Sequence, residues 1–259
     1  MEAPIPIVPD FGNAAADYAR YRQGFPPEFY DRIATLGAGL PGQRVLDIGT
    51  GTGLAARAFA ARGCVVTGLD PSAELLSHAR IASPDLHFIE ARAEATGLPD
   101  ASFDLISACS VWHWLDRPAA SREVRRLLAP GGRLLIANLD WHVAPGNVMD
   151  VTGQEIQSHR GDMADASIGA LFHYPDWAFD LVPFGFPRWE AFASFASLHY
   201  THAAWRGRIR ASANVVRMAP DVRARFDAAL DARLWAAFPE DPMAVEHHIF
   251  AMVAPLDPS

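Results

Sequence analysis

Three groups of residues have types and spacings suited to chemistry. Asp47-Ile48-Gly49-Thr50-Gly51-Thr52-Gly53 sets a carboxylate two positions ahead of three alternating glycines. Glycines allow a tight turn and bring backbone groups close to a ligand, because no Cβ intervenes. Asp70 follows Asp47 by 23 residues, near the offset at which nucleotide-binding folds set an acid against ribose hydroxyls. An ionised Asp accepts hydrogen bonds from both hydroxyls of a ribose that carries no 2′-phosphate. His113 stands between Trp112 and Trp114, and an imidazole ordinarily titrates near neutral pH. The combination suits a nucleotide-like cofactor beside a candidate proton acceptor in aromatic surroundings.

These groups need particular elements to position them. Val45, Leu46 and Ile48 are branched apolar residues, as a strand covered on both faces requires. Leu54–Arg62 reads as a helix stopped by Gly63. A strand, a glycine loop and a helix N-terminus make a nucleotide-cofactor site. The spacing departs from the dinucleotide G-x-G-x-x-G, and no lysine is placed for a phosphate loop. Val65–Leu69 is a second strand ending at Asp70, after which Pro71 and Ser72 open a helix. Leu86–Ile89 and Leu105–Cys109 are further strands, the latter running into Ser110–Asp116. Ligands in such sheets sit beyond the carboxyl ends of the strands, so the tip at Ser110–Trp114 should face the chemistry. A helix over Arg117–Ala129, a Pro130-Gly131-Gly132 turn and a fifth strand over Arg133–Asn138 follow.

Four stretches in this order, spanning residues 45–139, carry a family resemblance. Asp47–Gly53 resembles the first motif of class I S-adenosylmethionine (SAM) methyltransferases, and Gly68–Leu76 resembles their second. Ala91–Asp104 resembles the adenine-edge loop, although Arg92 stands where many members have an Asp. Arg126–Gly132 resembles the turn before their fifth strand. The likeness is to the small-molecule type, in the ubiquinone/menaquinone-biosynthesis-like branch. The His113-Trp114 pair is similar to one found in trans-aconitate methyltransferase relatives. The resemblance implies an α/β fold, a Rossmann-like doubly wound, mostly parallel seven-stranded sheet with an antiparallel last strand, plus an inserted aromatic-rich cap. It implies SAM as cofactor, held by Asp47, Gly49, Gly51, Gly53, Asp70, Pro71, Ala93, Glu94 and Ser110. An N-terminal segment with Tyr18, Tyr21 and Arg22 is expected to fold over it, Arg22 against the SAM carboxylate; the alternative is a surface helix held down by its tyrosines. His113, and behind it Asp140, are the candidate catalytic groups, although His113 equally suits a role in shaping the pocket. Trp112, Trp114, Trp141 and His142 are the candidate acceptor-binding residues.

The expected organisation is one methyltransferase domain over 1–259. It comprises a helical cover (1–40), the SAM-binding core (41–140), an inserted substrate cap (141–191) and C-terminal strands and helix (192–259). Eleven of the 27 aromatics fall between Trp141 and Tyr200, including Phe172, Tyr174 and Trp177, and aromatic faces suit planar or cationic ligands as well as an ordinary core. Phe192–His202 is expected as a sixth strand, Asp221–Phe238 as a helix and His247–Ala254 as the last strand. Ala203–Ser212 is a basic island that suits either an anionic substrate or a structural role.

A net charge of −8 opposes a non-specific grip on nucleic acid. No apolar run reaches the ~18 residues of a membrane span, and no basic leader opens the chain. Cys64 and Cys109 make neither a disulfide framework nor a metal knuckle, and no metal site is expected. The expectation is a cytoplasmic enzyme, monomer or homodimer, that methylates O, N or C of a small molecule. Two alternatives share the cofactor: an enzyme that cyclises or cleaves the aminobutyrate arm of SAM, and a non-catalytic SAM-binding module.

Overall fold

The computed structural model describes residues 15–161 and 178–257. Helices α1 (Ala15–Tyr21) and α2 (Pro27–Thr35) precede a strand–helix alternation. It runs β1 (Arg44–Ile48), α3 (Leu54–Ala61), β2 (Val65–Asp70), α4 (Ala73–Ala82), β3 (His87–Glu90), β4 (Phe103–Cys109), α5 (Arg117–Leu127) and β5 (Leu128–Trp141). Then come α6 (Val148–His159), β6 (Glu190–Tyr200), α7 (His202–Arg210), α8 (Ala213–Val216), α9 (Pro220–Ala237) and β7 (Met243–Pro255). The sheet has seven strands in the order β3-β2-β1-β4-β5-β7-β6. β1 to β5 are parallel, and β7 runs antiparallel between β5 and β6. The order reverses at β1 and β4, whose carboxyl ends therefore open a crevice.

Packing explains this arrangement. Val45 of β1 is fully buried on one face against Ile33, Phe59 and Leu76 of α2, α3 and α4. Leu46 and Ile48, on the other face, share a core with Val124 and Leu127 of α5. Gly68 is required by close approach: a Cβ there would lie 2.7 Å from the Phe88 ring and 3.0 Å from Thr50 Cγ2. A third core joins Trp141, Val148, Ile156, Trp205, Ile209, Phe226, Leu230 and Leu234. It forms a helical layer over the carboxyl end of β5.

Several element ends differ from the sequence expectation. β6 stops at Tyr200, not His202, because the Thr201 hydroxyl accepts the Ala204 N–H at 3.1 Å and caps α7. The basic island is therefore helix. α5 ends at Leu127, since Leu128 turns extended and pairs opposite Phe103. β7 starts at Met243 because it pairs along β6 as well as β5. The layer over the site combines α6 with α7 and α9 from beyond β6, so the covering elements are not confined to residues 141–191. The expected cap residues Phe172, Tyr174 and Trp177, and residues 1–14 of the expected helical cover, lie outside the described residues.

Candidate active site

The glycine loop is shaped by contacts from two neighbouring strands. Asp47 is 1% exposed. The β1–β4 register sets Ser107 beside it, and Asp47 accepts the Ser107 hydroxyl at 2.6 Å and the Thr50 hydroxyl at 2.7 Å. Burial pushes its carboxyl up to about 6 against those two hydrogen bonds. Gly49 has φ +64°, and a Cβ there would lie 2.3 Å from Val111 Cγ2, so only glycine fits under the β4 tip. Asp70 at the β2 tip accepts the N–H groups of Gly51 and Ser72, each at 2.9 Å. Burial raises its pKa against these two bonds. Each oxygen keeps a further lone-pair direction, since a carboxylate offers about four acceptor sites.

Beyond β4, Ser110 adopts φ +59°, a conformation uncommon outside glycine. Its N–H bonds the Ala137 carbonyl at 2.7 Å. The reversal feeds a single 3-10 turn, Trp112–Trp114. Trp112 then drops into the core at 0% exposure, while His113 and Trp114 line a cavity of about 400 Å³. That volume lies within the small-molecule range. Burial, and secondarily the Arg22 guanidinium, push the His113 imidazole down to about 4. It is neutral at physiological pH.

The cavity floor is formed by Gly49, Gly51, Asp70 and Pro71, and one end by Arg92, Ala93 and Glu94. Glu94 accepts the Asp116 N–H at 3.1 Å and pairs with Arg92 at 3.2 Å, which fixes the loop where the family's Asp is missing. The opposite wall comes from Leu139, Asp140, Trp141, Ile156, Arg208 and Ser212. A small adjoining cavity of about 40 Å³ is lined by Arg22, Asp47, Gly49 and Thr50 among others. The Arg22 guanidinium lies 5.1 Å from the Tyr18 ring centre, and both residues border the two cavities.

The sequence candidates thus separate into three groups. Gly49, Gly51, Asp70, Pro71, Ala93, Glu94, Ser110, Arg22, His113, Asp140, Trp114 and Trp141 border the main cavity. Asp47 borders only the smaller one. Four candidates are placed elsewhere. Gly53 caps α3 in a left-handed conformation, facing Phe88 and Arg57. Tyr21 packs its ring on Gly207, so the tyrosine at the cavity is Tyr18. Trp112 is core. His142 turns its ring onto Phe195, 4.9 Å between centres. Within the basic island expected for an anionic substrate or a structural role, the residue that reaches the cavity is Arg208, whose guanidinium lies 4.7 Å from the Trp141 ring centre. The sequence signal was the basic island as a whole, which did not separate Arg208 from Arg206 and Arg210.

Comparison with known proteins places this geometry in a family. Residues 46–136 match the model of the methyltransferase domain. An uncharacterised methyltransferase of Mycobacterium bovis is 34% identical over 179 residues, covering 67% of this chain and 72% of that one. The chain belongs to this methyltransferase family, as a class I SAM-dependent enzyme of the small-molecule type. It is also similar to the malonyl-[acyl-carrier protein] O-methyltransferase of Serratia marcescens, 36% identical over 110 residues, which covers 42% of this chain and 43% of that one. In fold it is similar to a structure described as a type II methyltransferase from Anaeromyxobacter dehalogenans. That pair has a TM-score of 0.66 and 24% identity, and the match covers 92% of this chain and 98% of the other. Among the described residues no helix is long and apolar enough to cross a membrane, and no cluster of His, Cys, Asp and Glu suits a metal ion.

Proposed function

We propose that the cavity binds SAM along its floor and presents the methyl group to a small-molecule acceptor entering under α6 and α7. The observation that carries this is the cradle between Gly49, Gly51 and Asp70. Its backbone is held open at positive φ, and Asp70 keeps lone pairs for two ribose hydroxyls. The adenine end then lies by Ala93 and Glu94, and the amino-acid end lies toward Arg22 and the small cavity above Asp47. A similar fold in Haemonchus contortus phosphoethanolamine N-methyltransferase 2 carries S-adenosylhomocysteine, with a TM-score of 0.54 and 18% identity. We read the whole chain as one such domain, acting without metal in the cytoplasm as a monomer or homodimer.

Bound SAM supplies a methyl group already activated on a sulfonium. What this chain contributes is alignment and exclusion of water. Asp70 and the glycine loop hold the nucleoside end, and Arg22 faces the carboxylate. Trp114, Leu115 and Leu139 screen the reacting centre. Neutral His113 fixes the shape of the wall beside the Trp114 ring, 4.8 Å away between centres. An imidazole pushed down to about 4 is a weak proton acceptor at neutral pH, so His113 acts as a pocket residue and not as the general base.

Titration calorimetry checks the cofactor: S-adenosylhomocysteine should bind and NAD should not. Mass spectrometry after incubation with SAM then separates the chemistries. A methylated acceptor with S-adenosylhomocysteine supports transfer; methylthioadenosine or unchanged SAM would overturn it.

A further inference from the structure

Resting on the SAM reading above, we propose that Arg208, against the face of Trp141, forms the subsite for a carboxylate carried by the methyl acceptor. Three arginines lie on α7 and only one faces the cavity. Arg206 is paired with Asp227 at 3.0 Å and Asp231 at 3.4 Å. Arg210 is paired with Asp17 at 2.8 Å and Asp227 at 2.9 Å. Arg208 makes no ion pair among the described residues, and its guanidinium is stacked over Trp141 instead. A partly buried cation with no carboxylate in ion-pair contact is expensive, and an anionic ligand offsets that cost.

The surroundings favour a monoanion. Tyr18, Tyr200 and Asp140 act on Arg208 from α1, β6 and β5, with Arg22 as the other cation. Burial and Arg22 push its pKa down to about 10, which leaves it charged at neutral pH. Arg22 is assigned to the cofactor carboxylate and Arg92 is paired with Glu94 at 3.2 Å, so Arg208 remains for the acceptor. A phosphate dianion would meet Asp140 in the same wall with a single guanidinium to hold it. A carboxylate matches the planar fork of Arg208 and leaves its face on Trp141. Ser212, four residues on in that wall, is nine-tenths buried, and its Oγ has no hydrogen-bond partner among the described residues.

The experiment uses the whole chain saturated with S-adenosylhomocysteine, titrated with matched pairs: benzoate and benzamide, cinnamate and cinnamamide, hexanoate and hexanamide. Each carboxylate should bind at least about 10-fold more tightly than its amide. In Arg208→Gln that ratio should fall to about one, and Arg208→Lys should lie between, because it keeps the charge and loses the fork. S-adenosylhomocysteine affinity should hold in both variants, which also shows that they fold. A ratio near one in the wild type, or one that survives Arg208→Gln, overturns the proposal. Tighter binding of phenyl phosphate than benzoate overturns the choice of anion. If Arg208→Gln weakens S-adenosylhomocysteine but not methylthioadenosine, Arg208 holds the cofactor's own carboxylate and the proposal fails. Wild-type protein that binds no S-adenosylhomocysteine removes the cofactor reading itself, a result distinct from all of these.

Discussion

His113 should make the fold acid-sensitive in a defined window. Its imidazole is pushed from an ordinary 6.5 down to about 4, mainly by burial, so folding favours the neutral ring. The stabilisation is complete above the ordinary value. It is lost as pH falls toward the folded value, because the unfolded chain then binds a proton that the folded chain refuses. The gap of about 2.5 pH units corresponds to roughly 3 kcal/mol in full, of which about 2 kcal/mol is lost by about pH 5. His247, also pushed down to about 4 by burial, adds in the same sense. Asp47, raised to about 6, acts in the opposite sense, since its protonated form is favoured by folding. His248, pushed down by burial, and Asp70, raised by burial, act as well, so a wild-type profile alone would mix several groups. Comparing wild type with His113→Gln isolates one, because the others are common to both proteins and cancel. Urea unfolding at about pH 7.5, 6.5 and 5 should show the stability difference between the two proteins moving by about 2 kcal/mol in favour of the variant as pH falls. Parallel pH profiles for the two proteins would refute the reasoning.

Three other outcomes follow from the geometry. Gly49→Ala combines a left-handed backbone with a Cβ 2.3 Å from Val111. It should lose about 2–4 kcal/mol in chemical denaturation and most of its S-adenosylhomocysteine affinity. Asp70→Asn removes the charge that holds two backbone N–H groups and would receive the ribose hydroxyls, so calorimetry should show affinity falling about 10- to 100-fold. Trp205→Phe removes the buried indole N–H donated to Thr152 Oγ1 at 2.9 Å, which ties α7 to α6. Thermal unfolding should show about 1–3 kcal/mol of destabilisation, with S-adenosylhomocysteine still bound.

What was legible in the sequence lay where the physics is local. The apolar run of β1 and the alternating glycines are written within a few residues, because strand burial and positive φ constrain residue type directly. The alternation of strands and helices then implies a sheet with ligands beyond its carboxyl ends. The family resemblance added the seven-stranded form, and the structure and relatives agree with both. Trp112 and Trp114 show where such reading stops. Both flank His113, yet the turn after Ser110 sends one into the core and the other to the cavity.

The wall facing the acceptor was decided by long-range contacts. Tyr21 packs on Gly207, and Asp17 pairs with Arg210, residues 193 apart in sequence. These contacts, with Trp205 bonded to Thr152, set the rotation of α7. That rotation turns Arg208 inward and Arg206 and Arg210 outward, although all three have the same chemistry and lie within one and a half helical turns. Local sequence determined the cofactor loop because a backbone conformation is a property of a few adjacent residues. Tertiary structure alone decided which arginine faces the cavity, because a helix's rotation is set by everything packed against it.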